Sequence, residues 1–413
     1  MVRAIIPYVF EFKAYTKARW VGQTLLETMA NEFKRRSLKY FDLAIRIGAI
    51  RVNGAKVDIN YRLKHNDLIT NLVHRHEPPI PDGNLVVVHE NKDLLVVDKP
   101  AGVPCHPNSA YAKNSLTEIV REQMGLEFIS AINRLDRQTS GLVILAKSER
   151  AAAEYHQTLM EGVVAKWYVC RVSGEFPEGP VIVDLPLVIS REDCLTTIYT
   201  QNEQWIGRTS RTAFWRLAKE GQESVLLCRP VTGRTHQIRV HLQALGYPIA
   251  NDQIYSQGYI PPQAIHSLLQ PQPTQPNPTS TPPTPTPSQP KPIHITPELY
   301  FALGQQYGIA FTRTRAYSLF NSDDCRIDEF LDNNDLLEQC TATTPELFIL
   351  EACMHCRHLA ATQTLPRFSI LYLHAMQYTI KDQTWTTNPP KWTNISLDAF
   401  EKAKEHLLIA ISS

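Results

Sequence analysis

"AINRLDRQTSGLVILAKSER", residues 131–150, sets one carboxylate, Asp136, between two arginines, Arg134 and Arg137. A Thr-Ser-Gly turn and the apolar run 142–146 follow. The run predicts a buried strand. The charges in front of it admit two readings. In the first, Asp136 organises a turn, since an Asp followed by Thr139 and Ser140 suits side-chain-to-backbone bonding. In the second, Asp136 is a catalytic carboxylate kept ionised in a partly dehydrated pocket, because an opposite charge in contact favours the charged form.

The surroundings of this stretch alternate strands with helices. "NLVVVHENKDLLVVDKP" (84–100) reads as two β-branched strands around an Asn-Lys-Asp turn. Further strands are predicted at 167–172, 211–217 and 224–229, and helices at "SLTEIVREQMG", "SERAAAEYHQTLMEG" and "RTHQIRVHLQALG". The class is α+β, with strands in meanders rather than strict βαβ alternation. In "AKWYVCRVSGEF" (165–176) the alternation puts Lys166 and Tyr168 on one face, and Trp167 and Val169 on the other. In "CRPVTGRTHQIRVHLQALGYPIANDQIY" (228–255) a strand and a Thr-Gly turn lead into an amphipathic helix. Its start carries Arg234, His236, Gln237 and Arg239. Arginines at a helix start make a phosphate or carboxylate site.

The N-terminal 80 residues differ in texture. Between Lys13 and Arg75 there are 13 Lys/Arg and 5 Asp/Glu, a local charge of +8 inside a chain of net +1, which fits a polyanion-binding face. "GQTLLETMANEFKRR" has helical spacing. A second short helix, a turn at Gly48 and a strand–turn–strand around Asn53-Gly54 follow, and prolines 78, 79 and 81 close the unit as a stiff linker. Residues 267–298, rich in Pro, Thr, Gln and Ser, have too little apolar content to offset ordering entropy. "FSILYLHAMQY" is a buried-strand candidate. No run approaches the roughly 20 apolar residues of a membrane span, and no secretory leader is expected. The first 30 residues are poor in acids, a weak mitochondrial signal. The eight scattered cysteines fit reduced thiols better than a disulfide framework.

"NRLDRQTSGLVILAKS", "KWYVCRVSG" and "GRTHQIRVHLQALGYPIANDQIY", in this order and spacing, resemble the RluA-type pseudouridine synthase family. The resemblance covers about residues 85–256 closely, and "LYLHAMQY" (371–378) looks like the family's returning C-terminal strand. "YVFEFKAYTKARWVGQTLLETMANEF" and "NLVHRHEPPIP" resemble one branch, the eukaryotic enzymes that modify uridine 32 of tRNA. "IRVNGAKVDINYRLKHNDLI" is similar to the small α-L RNA-binding module.

The resemblance implies a mixed, mainly antiparallel central sheet flanked by helices and loops. It implies four segments: a basic RNA-binding region at 1–80, the catalytic domain at 81–256, an insertion at 257–344, and the rest of the catalytic domain with a terminal helix at 345–413. Asp136 is then the nucleophile on a flipped-out uridine, at ribose C1′ or, in an older proposal, at pyrimidine C6. Tyr168 stacks on the target base and assists a later proton removal. Arg239 pairs with Asp136 in preference to Arg234. Arg134, Leu135 and Arg234 contact RNA, as do Arg19, Arg51 and Lys64 in the basic region. Breaking and remaking a glycosidic bond without net hydrolysis needs one carboxylate rather than a glycosidase pair, and neither cofactor nor metal is expected. The expected partner is tRNA, through its anticodon stem-loop, with no membrane, a monomeric state, and a cytoplasmic or mitochondrial location, the nucleus being a further alternative. The family usually has His where this chain has Asn133.

Four competing readings remain. Cys325 and Cys340 with the "CMHC" pair Cys353 and Cys356 have partial zinc-site spacing. A catalytically silent RNA-binding protein or tRNA chaperone would keep the fold without the chemistry, and a synthase acting on rRNA or mRNA would keep the chemistry on another RNA. A nucleic-acid glycosidase would need a second acid, which the sequence near Asp136 lacks.

Overall fold

The computed structural model describes residues 2–33, 36–83, 85–108, 110–161, 164–190, 195–268, 292–307, 344–346 and 370–412. Two main cores organise them. The first belongs to strand β1 (Tyr8–Tyr15), helices α1 (Leu25–Glu32) and α2 (Leu38–Ile47), and strands β2 (Ile50–Val52) and β3 (Leu68–Arg75), with sheet order β1-β3-β2. Thr24 caps α1 in a capping box with Glu27, worth about 1 kcal/mol. Ser37 caps α2, and Gly48 ends it at φ +85°. Trp20, Leu25, Phe41, Ile45 and Ile50 fill the space between helices and sheet.

The turn at Asn53-Gly54 forms, with positive φ at both residues. The returning strand, however, starts only at Leu68. The intervening loop is organised by the Asp67 carboxylate, which accepts from Asn53 Nδ2 at 2.8 Å, Lys64 N at 2.8 Å and the Tyr61 hydroxyl at 3.1 Å. The long strand β1 pairs with β3 along its whole length.

The proline segment is docked rather than free. Glu77, its side chain inaccessible, accepts from the Tyr8 hydroxyl at 2.5 Å and from the N–H groups of Asn114 at 2.8 Å and Lys113 at 2.9 Å. Asn114 Nδ2 donates to Pro78 O at 3.0 Å, and Ile80–Pro81 pairs with Val2–Arg3. Burial acts to raise the Glu77 carboxyl, but the hydrogen bonds from Tyr8, Asn114 and Lys113 outweigh it and hold the carboxyl below its ordinary value. A depressed folded pKa gives stability that is complete above the unfolded value, about 4.3 for Glu, and is lost as pH falls through the folded one. Urea unfolding of wild type and Glu77→Gln should show a stability gap at neutral pH that narrows in acid. A gap independent of pH would mean that the charge of Glu77 does not matter.

The second core lies on a mixed sheet. Its strands are β4 (Val86–Glu90), β5 (Leu94–Lys99), β6 (Ser140–Ala146), β7 (Val164–Ser173), β8 (Pro180–Val183), β9 (Thr212–Glu220), β10 (Glu223–Pro230), β11 (Ile293–Ile295) and β12 (Leu373–Ile380), in the order β11-β8-β9-β10-β7-β12-β6-β5-β4. Strand β13 (Gln383–Thr386) adds to β12, and Ser130–Ala131 to β6. The β11–β8 and β12–β6 pairs are parallel, and the others are antiparallel. One face packs under helices α3 (Leu116–Met124), α4 (Glu149–Met160) and α5 (Gln237–Ala244) in the main core. The other packs Trp167, Val169, Leu227 and Met376 against Phe400 and Leu407 of the terminal helix α7 (Leu397–Ser412).

Residues 293–306, inside the stretch read as an insertion, supply edge strand β11 and helix α6 (Pro297–Gln306). The buried Tyr300 of α6 donates from its hydroxyl to Ala244 O, at the end of α5, at 2.9 Å. Residues 269–291 of the Pro/Thr tract, and Cys325, Cys340, Cys353 and Cys356, lie outside the described residues. Among the described residues no helix is long and apolar enough to cross a membrane.

Gly141 makes the β6–β12 junction possible. It sits at φ +112°, and a Cβ there would lie 2.4 Å from the backbone N and O of Ala375, its partner in the parallel pair. Neither the conformation nor the space admits a side chain. Gly141→Ala should cost about 4 kcal/mol or more, read by chemical denaturation. A change under about 1 kcal/mol would show that the strands can part without penalty.

Candidate active site

Asp136 lies in the loop between Ser130–Ala131 and β6, held from several sides. Its own carbonyl accepts from Thr139 N at 3.1 Å, closing a turn. The Cys105 thiol touches Leu135 on both sides, accepting from its N–H at 3.2 Å and donating to its carbonyl at 3.3 Å. The fully buried Lys99 ammonium donates to Val103 O at 2.8 Å, Pro100 O at 3.0 Å and Arg137 O at 3.2 Å. Burial pushes Lys99 down to about 8. Asn133, at the departure from the family pattern, ties the loop to β6: its Nδ2 donates to Leu142 O at 3.1 Å, and its Oδ1 accepts from Ile144 N at 2.8 Å. The backbone around Asp136 is thus fixed by side chains from two other segments and by Asn133 of its own loop, while the carboxylate itself stays about a third exposed.

Helix α5 supplies the counter-charge. Arg239 Nη1 donates to Asp136 Oδ2 at 3.4 Å. Its other edge is locked onto Asp252, with Nε to Oδ2 at 2.7 Å and Nη2 to Oδ1 at 2.8 Å. Asp252 in turn accepts from the N–H groups of Ile254 and Tyr255 at 2.9 and 3.0 Å. The guanidinium also lies 4.8 Å over the Tyr255 ring. Burial disfavours charge on Arg239, but the bonds and charge of Asp252 more than offset it, and the guanidinium is held more firmly protonated than usual. A bidentate pair of this kind fixes the plane of the guanidinium, so the remaining Nη1 presents one fixed donor to Asp136.

His236 is a further neighbour. It caps α5 in the left-handed region at φ +54°. Its Nε2 lies 3.6 Å from Asp136 Oδ2 and its Nδ1 bonds the Tyr255 hydroxyl at 2.8 Å. Burial lowers its pKa, which keeps the ring neutral near pH 7. Tyr168, on β7, is buried, and its hydroxyl is 2.6 Å from that of Tyr378 on β12. Burial, the neighbouring Tyr378 and the charge of Asp136 push the Tyr168 hydroxyl well above its ordinary range. Tyr168 therefore works as a neutral phenol, a ring and a hydrogen-bonding group rather than a phenolate.

The other anticipated residues are distributed differently. Arg134 is exposed with no side-chain partner among the described residues, whereas Leu135 is buried in the main core. Arg234 is removed from Asp136, its Nε donating to Thr209 O at 3.2 Å. In the N-terminal unit Arg19 is paired with Glu32 through two bonds of 2.8 and 2.5 Å, Arg51 donates to Gly48 O at 2.9 Å, and Lys64 is exposed. Asp252 and Tyr255 are the residues that sequence reasoning passes over, and it notes His236 at the helix start without a role. Asp252 is the second acid near the site, but its side chain is inaccessible and its lone pairs are taken, so it cannot reach a substrate. Among the described residues no group of three or more His, Cys, Asp or Glu is placed to hold a metal.

A family model for RNA pseudouridylate synthase matches residues 93–244, the span that carries Asp136, Tyr168 and Arg239. The chain is 31% identical to RNA pseudouridine synthase 7 of Oryza sativa subsp. japonica over 405 residues, 97% of this chain and 93% of that protein. The chain belongs to the RluA-type pseudouridine synthase family. Two further members match a shorter part. Pseudouridylate synthase RPUSD2 of Homo sapiens is 41% identical over 63% of this chain and 49% of its own length. The tRNA pseudouridine(32) synthase, mitochondrial, of Saccharomyces cerevisiae is 39% identical over 62% of this chain and 55% of its own. The chain thus spans about half the length of these two synthases.

Proposed function

We propose that this chain isomerises uridine to pseudouridine in tRNA, at position 32 of the anticodon loop. The observation that carries the reading is the carboxylate of Asp136, about a third exposed on a clamped loop and facing one fixed donor of Arg239. A single accessible acid, with no second one free to assist among the described residues, suits a nucleophile that forms and releases a covalent link to the nucleotide. It does not suit the paired acids of a hydrolase. In this mechanism the target base leaves the stack at a cost of a few kcal/mol, offset by packing against Tyr168. Asp136 bonds to the sugar at C1′ or to the base at C6, the C1′–N1 bond breaks, the base turns and bonds to C1′ through C5, the carboxylate is released, and the C5 proton leaves to solvent while N1 takes one up. Arg239 balances the charge of the free carboxylate in the resting state. Phosphate contacts, Arg134 among them, supply most of the affinity.

The position assignment follows the yeast relative named for uridine 32; a second yeast relative, 33% identical and named tRNA pseudouridine(31) synthase, supports tRNA as the substrate but not the position. The N-terminal unit, with its own core and basic surface, is assigned to the stem of the same RNA, and the chain acts as a monomer in the cytosol or mitochondrion. The test is site-resolved pseudouridine mapping of tRNA from cells lacking the protein. Loss at position 32 is expected. Loss at another uridine would move the target, and no loss in any RNA would favour the catalytically silent alternative.

A further inference from the structure

Lys166 sits on β7 two residues before Tyr168 and faces Tyr378 across the β7–β12 pair, as its backbone partner. Paired residues on adjacent strands share a face. Tyr378 and Tyr168 join their hydroxyls on the face of the main core, so Lys166 opens onto the same side. Its stem is partly buried, and its ammonium reaches the turn that leads into α5: a Cβ on Gly233 would lie 3.1 Å from Nζ. That turn continues through Arg234 to His236, whose Nε2 is 3.6 Å from Asp136. The ammonium therefore stands at the mouth of the site, between the Tyr168 strand and the start of the Arg239 helix.

No carboxylate, hydroxyl or carbonyl bonds Lys166 among the described residues. Among the described residues no anion acts on it: burial alone shifts its pKa, downward. By contrast Lys99, the other buried lysine near the site, is saturated by three carbonyls. A partly desolvated cation without a partner is costly unless a ligand supplies the anion. Gly233 is the residue opposite it, exposed and without a side chain, so nothing at that position screens the ammonium from what enters the cleft.

We propose that Lys166 binds a backbone phosphate of the RNA beside the flipped nucleotide, with Gly233 keeping the approach open. This rests on the RNA-isomerase reading above and deepens it by naming the anion that Lys166 takes. A single ammonium grips one phosphodiester as a point charge, and it does so without reading sequence. Lys166 is a positioning residue for the substrate strand.

The test measures binding of a synthetic anticodon stem-loop RNA, with uridine at position 32, to the full chain across a salt titration. Lys166→Met should weaken binding about tenfold at low salt and reduce the slope of log K against log[salt] by about 0.7, one single-strand phosphate contact. Lys166→Arg should restore both. A neutral methylphosphonate at the phosphate in question should weaken wild-type binding and leave Lys166→Met unchanged. Melting curves of each variant separate misfolding from lost contact. Unchanged slope and affinity in a folded Lys166→Met, or an equal methylphosphonate penalty in both proteins at every phosphate flanking the target, would overturn the assignment. Turnover is not the readout. If wild-type protein forms no pseudouridine, the isomerase reading falls separately, and the salt slope still decides whether Lys166 holds a phosphate.

Discussion

Asp136→Asn should abolish pseudouridine formation in purified protein, lowering the single-turnover rate at least about 10⁴-fold, since loss of a catalytic nucleophile costs up to about 10⁶-fold in well-studied cases. Asn has the same shape, and its Oδ1 can still accept from Arg239, so the loop clamped by Cys105, Lys99 and Asn133 should hold its form. RNA affinity should hold or rise, because an anion has been removed from an anion-binding cleft. Rapid-quench analysis of labelled tRNA, with filter binding beside it, separates the two quantities. Conversion at anything near the wild-type rate would sink the nucleophile assignment. Loss of binding with loss of turnover would make Asp136 a binding residue.

The second large effect belongs to a residue that never meets substrate. Asp252→Ala leaves Arg239 buried with its better edge unpaired, and strips the Ile254 and Tyr255 N–H groups of their acceptor. Removing one partner of a buried ion pair costs about 3–5 kcal/mol. The contact to Asp136 at 3.4 Å is too long to replace two bonds under 3 Å. Urea unfolding should show that loss, and turnover should fall with it, because the guanidinium is no longer fixed against Asp136. Asp252→Asn, which keeps an acceptor for the two N–H groups, should fall between. A fully stable Asp252→Ala would mean that Arg239 finds another partner.

Most of the catalytic sheet is legible in the sequence because its strands carry strong local signals. The runs at Leu94–Lys99, Ser140–Ala146 and Glu223–Pro230 are dense in β-branched and aliphatic residues, and the Lys166/Tyr168 alternation survives a bulge between Trp167 and Tyr168. Tyr8–Tyr15 was legible only as part of a family likeness: Glu11 and Lys13 fit a period-2 alternation, but no residue of the strand is fully buried and its partner lies some 60 residues away. Ile293–Ile295 was hidden by its length and by the proline-rich neighbourhood. At the site, Asp136, Tyr168 and Arg239 stand in the motifs that carry the family resemblance, and their expected roles come from that resemblance. Asp252 does not. It follows Arg239 by 13 residues across a helix end, the turn at Gly246 and a loop, and no periodic rule links the two. Only the fold brings a fully buried carboxylate onto a buried guanidinium. The nearest signal was the buried arginine itself, which must have a partner.

The place of Leu373–Ile380 in the sheet has a consequence for synthesis. This strand lies between Val164–Ser173 and Ser140–Ala146, so the half of the sheet that carries Tyr168 and the half that carries Asp136 are joined by a piece made more than 200 residues after either. The contact order of that junction is high, and its closure is correspondingly slow. A nascent chain still short of residue 373 exposes two unpaired inner edges at the ribosome exit, where they invite chaperones or aggregation. Termination before Leu373 would leave Asp136, Tyr168 and Arg239 present and the two halves of the sheet that carry them unjoined.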